Sequence, residues 1–330
     1  MTAHPHSDPP SPDLPTPDLP HGTVAMLAAT ALDGPLIRSL THEFSRRGVV
    51  HSVELRQVPL AEGEEVSAVR WSVTLDDSDD SYGTQLAVSL LEDAAHQLPG
   101  PVTQTVLPAQ RRAQLHAEDG RLMLLMDVDS TLIDQEVIEL LARDAGREAE
   151  VAEVTERAMR GELDFAASLH QRVQTLAGLP RTVIDSTLAA ITPTQGAPEL
   201  LAELGRRGWP SYAVSGGFLQ VLAPLAADLG LTGFHANDLA ISPQGTLEGT
   251  VRGAVVDRAA KREYLEQWSA SQGLLPRNVV AVGDGANDLD MLAAAGVGIA
   301  FCAKPALAEQ ADLVIDHRSF ELISLALGMS

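Results

Sequence analysis

The chain has 330 residues, of which 45% are hydrophobic and 21% charged, and its 45 acidic and 23 basic side chains give a formal net charge of −22. This length predicts two or three compact units, and the composition excludes a disordered or fibrous protein. The acidity opposes attraction to nucleic acid or anionic membranes, and no apolar run approaches the roughly 18 residues that span a bilayer. The single cysteine, Cys302, cannot form an internal disulfide. We therefore expect a soluble protein of the reducing cytoplasm.

The first segments of the chain are a tail and a small domain. Residues 1–22 contain seven prolines and few large apolar side chains, which predicts a disordered tail. Over residues 23–107, hydrophobic periodicity predicts the order βαββαβ, which is ferredoxin-like. This order, with the Asp33-Gly34 turn before the first helix, resembles the amino-acid-sensing ACT domain. A ferredoxin-like domain used only for dimerisation is the alternative, and its edge strands would pair with a second copy or need protection. We expect a homodimer through this domain.

Residues 108–120 are polar and predict a linker, and residues 121–330 predict a larger α/β unit. Strand patterns occur at 122–126, 211–214, 279–282, 297–300 and 313–315. Strands that alternate with helices indicate a parallel, Rossmann-like sheet. Residues 134–190 have a helical pattern throughout, so we expect a helical cap inserted after the first strand.

Two carboxylates follow the first strand of this sheet. Asp127 and Asp129 are separated by Val128, and the carboxyl end of a strand is where open α/β sheets bind ligands. In a loop, both side chains can face one pocket. Because two close carboxylates repel each other, we expect a cation or a shared proton between them.

Three further motifs follow in the same unit. Residues 283–288, GDGAND, come after an apolar strand and supply the oxygen ligands that Mg²⁺ prefers. Residues 214–217, VSGG, end a strand with small residues that can hold a phosphate, and Lys261 lies on a predicted helix. Each motif alone is commonly an ordinary loop or surface residue, but all of them in this order at strand ends point to one site.

The motifs DVDST, ITPTQGAPELL, AVSGGF, AVGDGANDLDML and GIAFCAKP resemble those of the haloacid dehalogenase-like superfamily and, within it, of the phosphoserine phosphatases. The resemblance covers residues 121 to 327. It implies that Asp127 is the nucleophile, which forms an aspartyl-phosphate. Asp129 would protonate the leaving oxygen and later deprotonate the attacking water. Mg²⁺ would be bound by the Asp127 carboxylate, the Asp129 backbone carbonyl and Asp284.

The resemblance also implies how the phosphoryl group is held. Ser215, Gly216 and Lys261 would bind its oxygens. Asn287 and Asp288 would position the ligand and Lys261. This agrees with the physics of phosphoryl transfer, which is catalysed mainly by positioning and by offsetting negative charge.

The predicted cap would select the substrate. The resemblance places Glu136 against the substrate ammonium and Arg172 against its carboxylate, a pair suited to an α-amino acid. Met159 and Phe165 would close over the substrate. From the residues alone, Glu136 and Arg172 fit solvated helix positions, and Met159 and Phe165 fit the cap core equally well.

We therefore expect a Mg²⁺-dependent enzyme that hydrolyses O-phosphoserine to serine and phosphate, the last step of serine biosynthesis in this family's usual setting. One alternative is a phosphotransferase that passes the phosphoryl group to another alcohol such as homoserine. The other is a serine-sensing regulatory protein whose phosphatase site is idle.

Overall fold

The computed structural model describes residues 22–75, 80–159 and 162–329. It places them in two sheets with their helices. The predicted tail, residues 1–22, lies outside this description except for Gly22. No helix in these three ranges is both long enough and apolar enough to cross a lipid bilayer.

Residues 23–107 form a four-stranded antiparallel sheet with two helices on one face. The elements are β1 (Thr23–Ala29), α1 (Gly34–Ser45), β2 (Gly48–Pro59), β3 (Glu65–Leu75), α2 (Asp80–Ala95) and β4 (Val102–Leu107). The strand order is β2-β3-β1-β4, which confirms the ferredoxin-like prediction. Helix α1 begins where the sequence favours it, because the Asp33 carboxylate accepts a hydrogen bond from Leu36 N at 2.9 Å.

The rest of the chain builds a seven-stranded sheet in which only the edge strand β8 is antiparallel to its neighbour. The elements are α3 (Ala109–Leu115), β5 (Met123–Met126), α4 (Val137–Asp144), α5 (Glu148–Met159), α6 (Phe165–Thr175), α7 (Thr182–Ala190), α8 (Ala197–Arg206), β6 (Ser211–Phe218), α9 (Leu219–Asp228), β7 (Gly233–Ile241), β8 (Leu247–Arg252), α10 (Arg258–Ser271), β9 (Val279–Gly283), α11 (Leu289–Ala294), β10 (Val297–Phe301), α12 (Pro305–Ala308), β11 (Leu313–Ile315) and α13 (Phe320–Ala326). The strand order is β11-β10-β9-β5-β6-β7-β8. This confirms the Rossmann-like prediction, with helices α4 to α7 as the inserted cap.

The position of β5 explains where a site can form. Strand β5 lies between β6 and β9, and the chain continues to one side through β6 and to the other through β9. Such a reversal leaves a crevice at the carboxyl ends of the central strands. All four predicted motifs lie at this end of the sheet or on a helix behind it.

Three elements differ from the sequence-based expectation. Strands β7 and β8 were not predicted, because β7 contains Asn237 and Asp238 and β8 contains Gly249, residue types that strands disfavour. Residues 108–120, predicted as a linker, contain helix α3, which buries Leu115 and Arg112. Because these residues are mostly polar, their pattern did not predict a helix that packs against the fold.

The two sheets share a hydrophobic core. One face of β1, with Val24, Met26 and Ala28, belongs to the same buried cluster as Phe320 and Leu322 of α13. The other face of that sheet packs on α1 and α2 in a separate cluster. The small unit is therefore joined to the larger one by packing as well as by the chain.

Candidate active site

A cavity of about 390 Å³ opens at the carboxyl ends of β5, β6 and β9. Its lining includes eight of the predicted site residues: Asp127, Asp129, Glu136, Phe165, Arg172, Gly216, Asp284 and Asn287. Three others lie buried behind it, Ser215, Lys261 and Asp288. Met159 is the last residue of α5, and its side chain lies outside what the structure describes.

Asp127 is held at the end of β5 by neighbouring strands and by its own loop. Its N–H donates to Val282 O of β9 at 2.9 Å, and its Oδ1 accepts from Val128 N at 2.7 Å. The residue is 4% exposed. A carboxylate fixed at the floor of the cavity with one face open to it is suited to nucleophilic attack.

Asp129 is oriented by two donors from different elements. Its Oδ1 accepts from Val137 N, at the start of α4, at 2.7 Å. Its Oδ2 accepts from Ser215 Oγ of β6 at 3.0 Å. Burial, and then the negative charges of Glu136 and Asp127, raise the pKa of Asp129 to about 7. A carboxyl group with this pKa can donate and accept a proton near neutral pH.

Lys261 supplies a buried positive charge. Its Nζ lies 2.8 Å from Asp127 Oδ1 and 2.7 Å from Asp288 Oδ1, and the residue is fully buried. Burial alone would lower the pKa of Lys261, but the carboxylates of Asp127 and Asp288 outweigh it and raise the pKa. The lysine is therefore a permanent cation at the floor of the site.

Three carboxylates gather at the same floor. One oxygen each from Asp127, Asp284 and Asp288 lies within 4.8 Å of the others. Burial, and then the charge of Asp127, raise the pKa of Asp284 to about 7 and that of Asp288 to about 6. Three ionised carboxylates beside one lysine would leave excess negative charge here, and a donor set made only of oxygens fits a hard divalent cation such as Mg²⁺.

The last residues of β6 bring backbone groups to the cavity. Ser215 Oγ accepts from Gly217 N at 2.7 Å, and Gly216 O accepts from Asn237 Nδ2 at 2.8 Å. A Cβ on Gly216 would lie 2.8 Å from Cζ of Phe165, and one on Gly217 would lie 2.7 Å from Asp129 Oδ2. A side chain at Gly216 would therefore displace the Phe165 ring of the cap, and one at Gly217 would press on the Asp129 carboxylate.

The cap residues face the catalytic loop across the cavity. Glu136 Oε1 accepts from Ser130 Oγ at 2.8 Å, and burial raises the pKa of Glu136 despite that hydrogen bond. Burial lowers the pKa of Arg172, which the charges of Glu136 and Asp129 partly offset. One desolvated anion and one desolvated cation therefore lie in the same cavity as Asp127.

The sequence reasoning missed two residues of this site. Asn237 bridges Gly216, near the end of β6, to Val256 N, which donates to Asn237 Oδ1 at 2.8 Å. Lys304 lines the cavity, and its N–H donates to Asp284 O at 3.0 Å. Lys304 falls within the GIAFCAKP motif, and that context was sufficient to identify it. Asn237 gave no such signal.

Comparisons with known proteins agree with this geometry. A family model described as haloacid dehalogenase-like hydrolase matches residues 123–296. The phosphoserine phosphatase of Streptococcus thermophilus is 49% identical over 189 residues, which are 57% of this chain and 87% of that protein. A solved structure of a phospho-aspartyl intermediate analogue of phosphoserine phosphatase is 43% identical, with a TM-score of 0.58 over 62% of this chain and 97% of that chain.

A phosphoserine phosphatase of Mycobacterium tuberculosis is 44% identical over 238 residues, 70% of this chain and 58% of that protein. The chain thus spans little more than half the length of this relative. The range matched by the family model, residues 123–296, lies within the α/β unit that holds the cavity.

Proposed function

Because the chain belongs to the haloacid dehalogenase-like hydrolases, we propose that it is a phosphoserine phosphatase, which hydrolyses O-phosphoserine to serine and phosphate. The observation that carries this proposal is one cavity with an oriented carboxylate, a proton-exchanging carboxyl group and two groups of opposite charge. The first two suit the phosphoryl group, and the last two suit an amino acid.

In the first half-reaction, the Asp127 carboxylate would attack the phosphorus. A bond forms between its oxygen and phosphorus, while the bond from phosphorus to the seryl oxygen breaks. Asp129, whose pKa is raised to about 7, would give its proton to that departing oxygen. Lys261, behind Asp127, would offset the charge of the incoming phosphoryl group.

In the second half-reaction, Asp129 is a carboxylate and would take a proton from water. The water oxygen then bonds to phosphorus, and the bond to Asp127 breaks. Ser215 and the backbone N–H of Gly216 would hold phosphoryl oxygens through both steps. Asn287, in the lining of the cavity, would position the ligand, and Asp288 would position Lys261.

Asp127, Asp284 and the Asp129 carbonyl would hold Mg²⁺, with Asp288 close enough to contribute. The ion would neutralise developing negative charge on the phosphoryl oxygens.

Substrate choice would come from the cap. Glu136 would bind the ammonium group and Arg172 the carboxylate, as charge-assisted pairs. Phe165, whose ring lies against the turn at Gly216, and Met159 would close over the serine carbon chain.

For residues 23–107 we propose an ACT-like domain that dimerises. Edge strand β4 lies against β11 of the larger sheet, whereas within the described ranges β2 pairs with β3 alone. Val53 and Leu55 of β2 are 44% and 57% exposed, and an exposed apolar edge is a template for strand pairing. A Leu55→Lys variant should therefore be monomeric in light scattering.

Because the chain has one cysteine, we propose that the enzyme lies in the cytoplasm.

The test is phosphate release from O-phosphoserine with Mg²⁺ and after chelation, with Asp127→Asn as the matched control. The wild type should require the metal. The variant should lose several orders of magnitude, because it keeps the size of the side chain and removes the attacking charge. Near-normal turnover by Asp127→Asn, or no release by the wild type, would contradict the proposal.

A further inference from the structure

Arg318 lies behind the catalytic loop, in the segment that follows β11. Its Nη1 donates to Ser130 O at 3.0 Å and lies 3.6 Å from Asp134 Oδ1. Its guanidinium stands over the Phe301 ring, with Cζ 5.7 Å from the ring centroid. The side chain is 29% exposed, so these contacts fix a partly buried cation against the loop.

Ser130 is where this loop is strained. Its φ is +54°, a left-handed conformation that costs about 1 kcal/mol or more for a residue other than glycine. It follows Asp129 directly, and its Oγ donates to Glu136 Oε1 at 2.8 Å. Because a strained conformation persists only where contacts stabilise it, the direction of the Ser130 carbonyl depends on a hydrogen-bond partner. The direction of Ser130 Oγ depends on the same partner. Arg318 is that partner.

The small N-terminal unit holds the segment that carries Arg318. Thr103 of β4 accepts a hydrogen bond from Asp316 N at 2.8 Å. The same hydroxyl is hydrogen-bonded to His317 Nδ1 at 2.9 Å. Thr103 is fully buried and His317 is 6% exposed. One buried hydroxyl thus fixes the two residues that precede Arg318.

We propose that Arg318 is a positioning residue that holds Ser130, and through it Glu136, in the orientation that binds the substrate ammonium, and that Thr103 keeps Arg318 in place. This inference rests on the proposed function, because it assumes that Glu136 binds that ammonium. It makes the N-terminal unit part of the support of the active site.

The first experiment compares two substrates that differ only in the ammonium group, O-phosphoserine and 3-phosphooxypropanoate. In the full chain, Arg318→Ala should raise KM for O-phosphoserine about tenfold and leave KM for the other ester within about twofold. Arg318→Lys, which can still donate to Ser130 O, should restore most of the loss. Should Arg318→Ala fail to fold, Arg318→Gln keeps most of the side-chain stem and replaces it.

The second experiment tests the link to the N-terminal unit with a matched pair of variants. Thr103 and Thr105 lie two residues apart on the same strand and so point to the same face. Within the described ranges, Thr105 Oγ1 is buried without a hydrogen-bond partner. Thr103→Val should raise KM for O-phosphoserine about threefold, and Thr105→Val should leave it unchanged.

The outcomes separate the hypotheses. Equal losses for the two esters, or a fall in kcat at constant KM, would mean that Arg318 only supports folding and would overturn the inference. Identical behaviour of Thr103→Val and Thr105→Val would overturn the role of Thr103. If the wild type hydrolyses 3-phosphooxypropanoate at the same kcat/KM as O-phosphoserine, the proposed substrate is contradicted. If the wild type is active and selective but Arg318→Ala has the same KM for O-phosphoserine, only this inference is contradicted.

Discussion

Replacing Lys261 by Met would remove a positive charge from the floor of the site while keeping a side chain of similar length. Lys261 is fully buried, and its Nζ lies within 2.8 Å of one oxygen of Asp127 and one of Asp288. Without it, both carboxylates would be buried with no cation between them, and Asp284 would add a third negative charge nearby. Breaking a buried ion pair in this way costs about 3–5 kcal/mol of the free energy of unfolding.

This loss should depend on pH and on the metal. The pKa of Asp288 is raised from its ordinary value of 3.8 to about 6, first by burial and then by Asp127. Between these two values the folded protein binds a proton that the unfolded chain does not, so acid stabilises the folded state. In the variant, Asp288 lacks the Lys261 charge that lowers its pKa, so it binds its proton at a higher pH than in the wild type. The loss caused by Lys261→Met should therefore shrink as the pH falls from neutral towards about 6. Mg²⁺ at a hundredfold excess over its Kd should add about 2.7 kcal/mol to the wild type and at least as much to the variant.

Urea unfolding followed by circular dichroism, in chelator and in Mg²⁺, measures both effects. The matched control is Arg258→Met, on the same helix α10, because Arg258 pairs with Asp290 at the surface. An exposed ion pair contributes about 1 kcal/mol or less. If Lys261→Met in chelator near neutral pH were no less stable than Arg258→Met, Lys261 would not be balancing buried carboxylates, and our account of the site's charge would be wrong.

Three further predictions concern the cap, the shared core and pH. Arg172→Ala should lower kcat/KM for O-phosphoserine by a factor equivalent to about 2–5 kcal/mol of transition-state binding. It should leave kcat/KM for phosphoethanolamine, which lacks the carboxylate, nearly unchanged, and equal losses for the two substrates would show a structural role. Met26→Ala and Leu27→Ala should each cost about 2–5 kcal/mol of stability, but only Met26 packs in the core shared with α13. Met26→Ala should therefore lower the urea concentration at which activity is lost more than Leu27→Ala does. Burial lowers the pKa of His317, so as the pH falls this imidazole binds a proton in the unfolded chain before it does in the folded protein. The stability of the wild type relative to His317→Gln should therefore fall as the pH drops below about 6.5.

The floor of the site could be predicted from the sequence because its residues follow strands directly. Asp127 and Asp284 each come at or just after the end of a hydrophobic strand pattern, and parallel strands bring their carboxyl ends to one edge. Ser215 likewise comes directly after a hydrophobic strand pattern, residues 211–214. These residues lie together in the structure because the topology of the sheet, which the alternation of strands and helices already indicates, requires it.

The supports of the site could not be predicted in this way. Asn237 lies on β7, a strand that the periodicity did not predict, and its partners are Gly216 O of β6 and Val256 N. Arg318 reaches Ser130 across 188 positions of the chain. Local patterns report which face of an element is apolar, and they carry no information about which distant carbonyl a side chain will meet. Hydrogen bonds between distant segments therefore appear only in the folded structure.

The charges at the floor of the site explain how so acidic a chain can bind a phosphate dianion. If Asp127, Asp284 and Asp288 are all ionised, Lys261 offsets one of the three negative charges, and two remain. One divalent cation would bring this group to neutrality. Asp129, whose pKa is raised to about 7, adds little further negative charge while it holds its proton. The dianion would then meet neutral surroundings with donors from Ser215 and Gly216, although the chain as a whole carries a net charge of −22. Removing either cation should therefore weaken phosphate binding more than any change in the chain's overall charge, since charges at the surface are screened within about 10 Å by salt.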